Sequence, residues 1–333
     1  MIRDEWLTQV EEEILEPDLP ICDPHHHLWD HPDSRYLLDE LLADTGSGHN
    51  VVSTVFMECG SMYRADGPEA LRPVGETEFV NGIAAMSASG GYGDGRMCAS
   101  IVSFADLALG AAVGDVLDAH MAASPRFRGI RHASAWDPHE SIRNAHTNPK
   151  GGLLGDSKFR EGFKELGKRG LTFDAWLYHT NIPELTALAR AFPEQPIVID
   201  HFGGPLGIGP YVGKQREIYE TWKEDVVELA ACENVVAKLG GLVMPLNGFG
   251  FHKRDVPPSS NEVASVTRDY HLHMIDCFGP ARCMFESNFP MDKQSCSYQV
   301  LWNAFKKIAD GISPAEKATL FHDTATRFYR VIR

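Results

Sequence analysis

Cys22-Asp23-Pro24-His25-His26-His27-Leu28-Trp29 is the stretch on which the reading turns. It closes a short apolar run near the N-terminus, and such a run reads as a strand. Side chains on a strand alternate between faces, so Asp23, His25 and His27 should share one face and His26 the other. Two imidazoles two residues apart on one face can hold a metal or grip one substrate oxygen. The bland alternative is a surface cluster of histidines. An expression tag does not fit, because the run is internal and lies behind an apolar strand.

Working outward from residues 20–27, seven more apolar runs follow, at 51–58, 97–104, 127–134, 171–178, 196–203, 235–241 and 282–289. They are continuous rather than alternating, as expected of parallel strands buried on both faces. Helical patterns separate them. In 181–192, Leu185, Leu188, Ala189 and Phe192 form one apolar stripe behind an Asn181 and Pro183 start. Residues 211–232, 261–278 and 295–309 are similar. Ser313-Pro314-Ala315-Glu316 carries an N-cap, a first-turn proline and a glutamate three residues on. Eight strand–helix pairs predict an α/β protein built as one (β/α)8 TIM barrel. The barrel is expected over 20–333, behind a short amphipathic helical extension in 1–19, where Trp6, Val10 and Ile14 recur about one turn apart. Long connections at 59–77, 135–155 and 242–260 follow strands two, four and seven. They should emerge at the C-terminal face, where long loops form lids or pocket walls.

Composition narrows the partners. The chain has 333 residues, 43% of them hydrophobic, which is ample for a large core. A net charge of −15 with histidine neutral argues against a nucleic-acid partner and implies nothing else specific. No stretch approaches the roughly 18 consecutive apolar residues of a membrane span, and the acidic N-terminus has no secretory h-region. The seven cysteines are scattered and lack CxxC pairs, so they read as core residues in a reducing, cytoplasmic setting. Homo-oligomerisation stays open.

Polar residues at strand ends are the candidates for chemistry, because a polar group inside an apolar strand is costly unless paired. They are His25 and His27, Glu58, Arg131 and His132, Tyr178 and His179, Asp200 and His201, Lys238, and Glu286, Ser287 and Asn288. Lys238 reads either as a cation neutralising carboxylates or as a hydrogen-bonded core residue. Glu58 reads as an internal partner of Arg131 or Lys238. His252, in a Gly/Phe-rich loop, is a weaker candidate. His31, His49, His120, His139, His146, His271, His273 and His322 read as surface residues.

Three of these strand ends, Asp23-x-His25-x-His27, Asp200-His201-Phe202-Gly203 and Phe285-Glu286-Ser287-Asn288-Phe289-Pro290, together resemble the amidohydrolase superfamily in its lactonase branch. The resemblance covers about residues 20–332. It implies a barrel with the site at the strand C-termini and, in many members, one divalent metal such as Zn or Mn. By the same resemblance His25 and His27 are metal ligands or substrate contacts, and His201 polarises a carbonyl or shuttles a proton. Arg131 grips a substrate carboxylate, a task suited to its planar fork. Tyr178 falls near a residue that hydrogen-bonds the scissile carbonyl, with His179 one residue out of phase. Lys238 and His252 complete the expected substrate-binding set.

The chain departs from the family pattern at Asn288, where Asp is usual. An amide is no general base and only a weak metal ligand. Glu286, Asp292 and His201 remain as bases, with His201 and Asp292 favoured. Two histidines alone make a poor zinc site, so metal-independent catalysis is equally compatible. The expected activity is opening of a lactone of a small, carboxylate-bearing organic acid or sugar by water attack. A non-oxidative decarboxylase of an aromatic or dienoic acid, and a non-catalytic binding protein of the same fold, are the alternatives.

Overall fold

Eight parallel strands frame the computed structural model, which describes residues 2–331. Met1, Ile332 and Arg333 lie outside the described residues, and with them the outer limits of the two expected segments. The strands are β1 (Ile21–His26), β2 (Val51–Met57), β3 (Arg96–Ser103), β4 (Phe127–Arg131), β5 (Thr172–Ala175), β6 (Ile197–Ile199), β7 (Val235–Leu239) and β8 (Cys283–Phe285). Each pairs in parallel with the next in sequence. The ring closes through a bridge between His26 and Phe289. There His27 N donates to Phe289 O at 2.8 Å and Asn288 N to His25 O at 3.0 Å. The closure therefore falls on the two segments whose motifs opened the sequence reading.

A helix follows every strand: α1 (Leu38–Thr45), α2 (Val74–Ala88), α3 (Val113–Ala123), α4 (Ser157–Lys168), α5 (Ile182–Ala191), α6 (Gln215–Ala230), α7 (Ser260–Phe278) and α8 (Tyr298–Ile308). Local chemistry starts several of them. Asp156 caps α4 by accepting from Lys158 N and Phe159 N, and Ser259 with Glu262 forms a capping box at α7. Their apolar stripes meet the outward faces of the strands, as where Phe305 of α8 stacks on Phe285 of β8 with ring centroids 4.9 Å apart. Among the described residues no helix is long and apolar enough to cross a membrane.

The barrel interior is layered. Its lower part is apolar, with Cys22, Val55, Met57, Val102, Val198 and Met284, and Ala325 and Tyr329 seal it from below. Tyr329 O accepts from Ser100 Oγ at 2.9 Å, and its hydroxyl bonds Asp174 one layer up. With the bottom closed, chemistry is confined to the top.

Three expectations need correction. The apolar runs overshoot the strands at their C-terminal ends, and the chain leaves the ladder where the polar residues begin. The helical extension is helical only over Asp4–Leu7. Beyond it the chain is a strap tied by its backbone groups to side chains of α8: Glu12 N to Gln299, Leu15 N to Asn303, and Leu15 O and Glu16 O to Lys306. Finally, Asp23 does not share a face with His25 and His27. Asp23 pairs with Thr54 and His26 with Phe56, so β1 carries one extra residue around Pro24, a bulge that inverts the alternation. Asp23 points outward to Tyr298 of α8, whose hydroxyl donates to it at 2.9 Å.

Candidate active site

The bulge that turns Asp23 outward turns His25 inward, onto the axis of the mouth. Three contacts fix the two histidines. His27 Nδ1 donates to Met57 O at 2.9 Å, which leaves His27 Nε2 as a lone pair. His25 Nε2 faces that lone pair at 3.3 Å. His25 Nδ1 lies between Lys238 Nζ at 3.1 Å and Glu286 Oε2 at 2.9 Å. Arg131 Nη1, 3.3 Å from His25 Nε2, is a neighbouring charge. Burial first, and the cation Lys238 next, push the His25 imidazolium far below its ordinary range; burial and then Arg131 do the same for His27. Both rings are neutral.

Beneath them Lys238, on β7, is fully buried among carboxylates. Its Nζ donates to Asp174 Oδ1 at 2.9 Å and lies 3.1 Å from Asp200 Oδ1 and 3.9 Å from Glu286 Oε2. Burial disfavours an ammonium here, but Asp174, Asp200 and Glu286 outweigh it and raise the Lys238 pKa. Lys238 is thus the buried counter-cation of the sequence reading and has no surface for substrate. Among the described residues both oxygens of Asp200 and Oε2 of Glu286 make ionic contacts, to Lys238, Arg131 and His25, but no hydrogen bond of good geometry. With Glu58 the cluster holds four carboxylates against Lys238 and Arg131.

His201 stands at the end of β6 in a left-handed turn, with φ of 52° at His201 and 60° at Phe202. Such values are strained for non-glycine residues and persist only where the surroundings enforce them. Here Glu286 does so: its Oε1 accepts from His201 Nδ1 at 2.6 Å. Two glycines after β7 make room for the pair. A Cβ on Gly240 would lie 2.4 Å from Glu286 Cγ, and one on Gly241 2.5 Å from His201 Nδ1. Trp176 closes one side, edge-on to the His201 ring at 4.9 Å. Among the described residues no hydrogen bond reaches His201 Nε2, so with Nδ1 held by Glu286 it is the ring nitrogen left to meet a ligand.

The other expected residues divide. Arg131 is present at the mouth, but Glu58 occupies its fork: Nε reaches Glu58 Oε1 at 2.7 Å and Nη2 reaches Glu58 O at 2.5 Å. The expected grip on a substrate carboxylate is therefore already taken. Asn288 faces the cluster, and its Nδ2 donates to Asp292 Oδ1 at 3.2 Å. Asp292 is fully buried, also accepts from Gly241 N at 3.1 Å, and is pushed well above the carboxylate range by burial. A carboxyl so fixed has no freedom to swing in, which removes the loop movement its role as base required. Tyr178 donates to Arg143 O at 2.5 Å, His179 Nδ1 accepts from Leu206 N at 3.3 Å, and His252 O accepts from Arg3 at 2.8 Å. These three tie loops together and do not join the cluster.

Some residues escaped the sequence reading. Glu286 was one base among three; its pairing with His201 needed the fold. His146, read as a surface residue, reaches the mouth and bonds Glu58 Oε2 at 3.0 Å. His49, His120, His271 and His322, also read as surface residues, are buried. The only signal for His146 was its place in a long loop after a barrel strand.

Could the cluster hold a metal? Among the described residues one group offers close ligand atoms, His25, Asp200 and His201, all within 4.8 Å of one another. The unsatisfied Asp200 carboxylate and the excess of negative charge fit a divalent cation. His27, expected as the second ligand, stands outside this trio, its ring held by Met57 O.

Fold and site together define a barrel hydrolase with a histidine–carboxylate centre at its strand ends. The chain belongs to the amidohydrolase family (Amidohydro_2), whose family model matches residues 22–331, and it is a hydrolytic enzyme acting on a small molecule. It is 34% identical over 342 residues to the uncharacterized protein y4mH of Sinorhizobium fredii, covering 94% of this chain and 99% of that one. It is 23% identical over 318 residues to an L-fucono-1,5-lactonase of Burkholderia multivorans, covering 92% and 95%. Among solved structures, an amidohydrolase of Burkholderia multivorans with bound zinc shares the fold with a TM-score of 0.71 at 21% identity, over 94% of this chain and 99% of that one. A putative 2-pyrone-4,6-dicarboxylic acid hydrolase of Pseudomonas putida does so with a TM-score of 0.65 at 16% identity, over 95% and 99%.

Proposed function

We propose that this enzyme opens the ring of a small lactone by water attack on the ester carbonyl. The observation that carries the reading is the His201–Glu286 pair at 2.6 Å. Glu286 holds the Nδ1 proton, so Nε2 takes the proton of the attacking water, and Glu286 stabilises the imidazolium that forms. The same proton then goes to the departing ring oxygen. Arg131, beside His25, supplies fixed positive charge where the carbonyl oxygen gains negative charge. Closure favours these steps: His25 is 0%, His27 3% and His201 2% exposed, and excluding water strengthens each electrostatic contact.

The relatives named as L-fucono-1,5-lactonases support ring opening. Because Glu58 already fills the Arg131 fork, a neutral, hydroxylated lactone suits the mouth better than a carboxylate-bearing one.

A second reading rests on the unsatisfied Asp200 carboxylate. His25, Asp200 and His201 would hold a divalent ion such as Zn or Mn, which supplies carbonyl polarisation and a more acidic water. In that case Glu286 orients His201 as a ligand, and His201 is no longer the base.

The test is turnover of sugar lactones, pyrones and muconolactone by purified protein, with metal content measured and after chelation. Ring-opened hydroxy acid is the expected product. No opening of any lactone, with or without Zn or Mn, overturns the proposal. Loss of turnover on chelation selects the second reading.

A further inference from the structure

Asp23 belongs to the motif that opened the sequence reading, yet the reaction leaves it unused. It is 0% exposed and turns outward, away from the histidines. Three donors converge on it there. Oδ1 accepts from Ser287 N at 2.9 Å and from His25 N at 3.3 Å, and Oδ2 accepts from the Tyr298 hydroxyl at 2.9 Å. One carboxylate thus joins β1, the segment after β8, and α8.

It does so at the seam of the barrel. Every other neighbouring pair of strands shares a ladder, whereas β1 and the β8 segment meet, among the described residues, in one bridge between His26 and Phe289. Pro24 has no N–H, and the bulge around it shifts β1 out of step. Among the described residues Ser287 N meets no main-chain carbonyl, and the Asp23 side chain stands in for one. Beside it the same two segments are sewn by Ser287 Oγ to His25 O at 3.3 Å and Asn288 N to His25 O at 3.0 Å. The bulge that turns His25 onto the axis breaks the register, and Asp23 bridges the break.

The site hangs on this seam. His25 stands just beyond the bulge and Glu286 just before Ser287. Their side chains meet across the seam at 2.9 Å, Nδ1 to Oε2, and Glu286 reaches on to His201 at 2.6 Å. A shift of the bulge against the β8 end therefore moves His25 against Glu286 and, through Glu286, changes the setting of His201.

We propose that Asp23 is a positioning residue: its carboxylate is the acceptor that fixes the seam between β1 and β8, and with it the spacing of His25, Glu286 and His201. The experiment separates position from charge. Asp23→Asn keeps an oxygen for Ser287 N and His25 N, and its amide can donate to the Tyr298 oxygen. Asp23→Ala leaves both N–H groups buried without that acceptor. Protection of the Ser287 amide against exchange should fall about tenfold or more in the alanine variant and stay near wild type in the asparagine variant. The kinetic arm rests on the lactonase reading. On a lactone that the wild type opens, the alanine variant should lose about 10- to 100-fold in kcat at nearly unchanged KM, the effect of a displacement of order 1 Å. Asparagine should restore most of that loss. Should the alanine variant not fold, Asp23→Ser, with its shorter acceptor, takes its place and should show a smaller loss of the same kind. A collapse of kcat in the asparagine variant overturns the proposal, since it would put the charge of Asp23 into the chemistry. Unchanged kcat in the alanine or serine variant, or unchanged protection at Ser287, overturns it as well. A wild type that opens no lactone overturns the lactonase reading, and protection at Ser287 then decides on Asp23 by itself.

Discussion

Two buried lysines, each touching a histidine, lie in opposite kinds of surroundings. Lys306, on α8, gives its protons to Leu15 O at 2.7 Å, Glu16 O at 3.0 Å and His49 Nδ1 at 2.9 Å. Every donor has an acceptor, no carboxylate is sealed in with it, and burial pushes its pKa down to about 8. Lys238 sits among Asp174, Asp200 and Glu286, its pKa raised, with carboxylate oxygens left unsatisfied around it. The first arrangement is a clamp that holds the N-terminal strap on the barrel. The second leaves polar groups uncompensated, and that unspent capacity is what a catalytic centre uses on its substrate. Burial of charge alone does not distinguish them; the completeness of its hydrogen bonding does.

The sharpest way to break the comparison is at the His201–Glu286 pair. His201→Ala should lower kcat about 10²- to 10⁴-fold on whichever lactone the enzyme opens. Glu286→Gln should lower it about 10- to 100-fold, as expected of a group that orients another. Steady-state kinetics at unchanged far-ultraviolet circular dichroism decide it, and a variant that keeps full kcat contradicts the division.

Stability comes next. Lys238→Met strands three carboxylates and should cost about 3–5 kcal/mol. Lys306→Met strands only carbonyls and a histidine and should cost about 1–3 kcal/mol. Urea denaturation midpoints measure both, and a larger loss at Lys306 would reverse the ranking.

The smallest effect is in pH. Burial first, and Lys306 second, lower His49 to about 4, below the roughly 6.5 of an unfolded histidine. The folded state thus favours neutral His49. Its contribution is complete above about pH 6.5 and is lost as pH falls through about 4. The protection factors of the Glu12 and Leu15 amides, corrected for the intrinsic exchange rate, should fall across that window, and His49→Gln should flatten the change. An unaltered pH profile in the variant would detach His49 from the clamp.

The barrel was legible in the sequence because eight continuous apolar runs, seven of them with a candidate polar residue toward the C-terminal end, admit few other packings. His25, His201, Lys238 and Glu58 stood out for the same reason, since a polar residue in an apolar run needs a partner. What stayed hidden depended on contacts made at long range. The bulge at Pro24 reversed Asp23, and alternation had placed it with the histidines. The strap lost its expected helix to side chains 287 to 291 positions away. The occupied fork of Arg131 and the reach of His146 to Glu58, 88 positions back, are likewise products of the closed barrel. The Asn288 amide lacks the chemistry of a base, and its contact with Asp292, which holds that carboxyl in place, could not be read from the sequence.

Tyr329 gives the barrel floor a consequence in time. Its hydroxyl is a partner of Asp174, 155 positions earlier in the chain. During synthesis from the N-terminus, β5 and β7 can each pair with β6 before that hydroxyl emerges, leaving Asp174 with Lys238 alone over an unplugged floor. Folding intermediates expose such unfinished interiors to water and to other chains. Asp174 and the carboxylates that share Lys238 with it are therefore among the last groups of the nascent chain to reach their final surroundings.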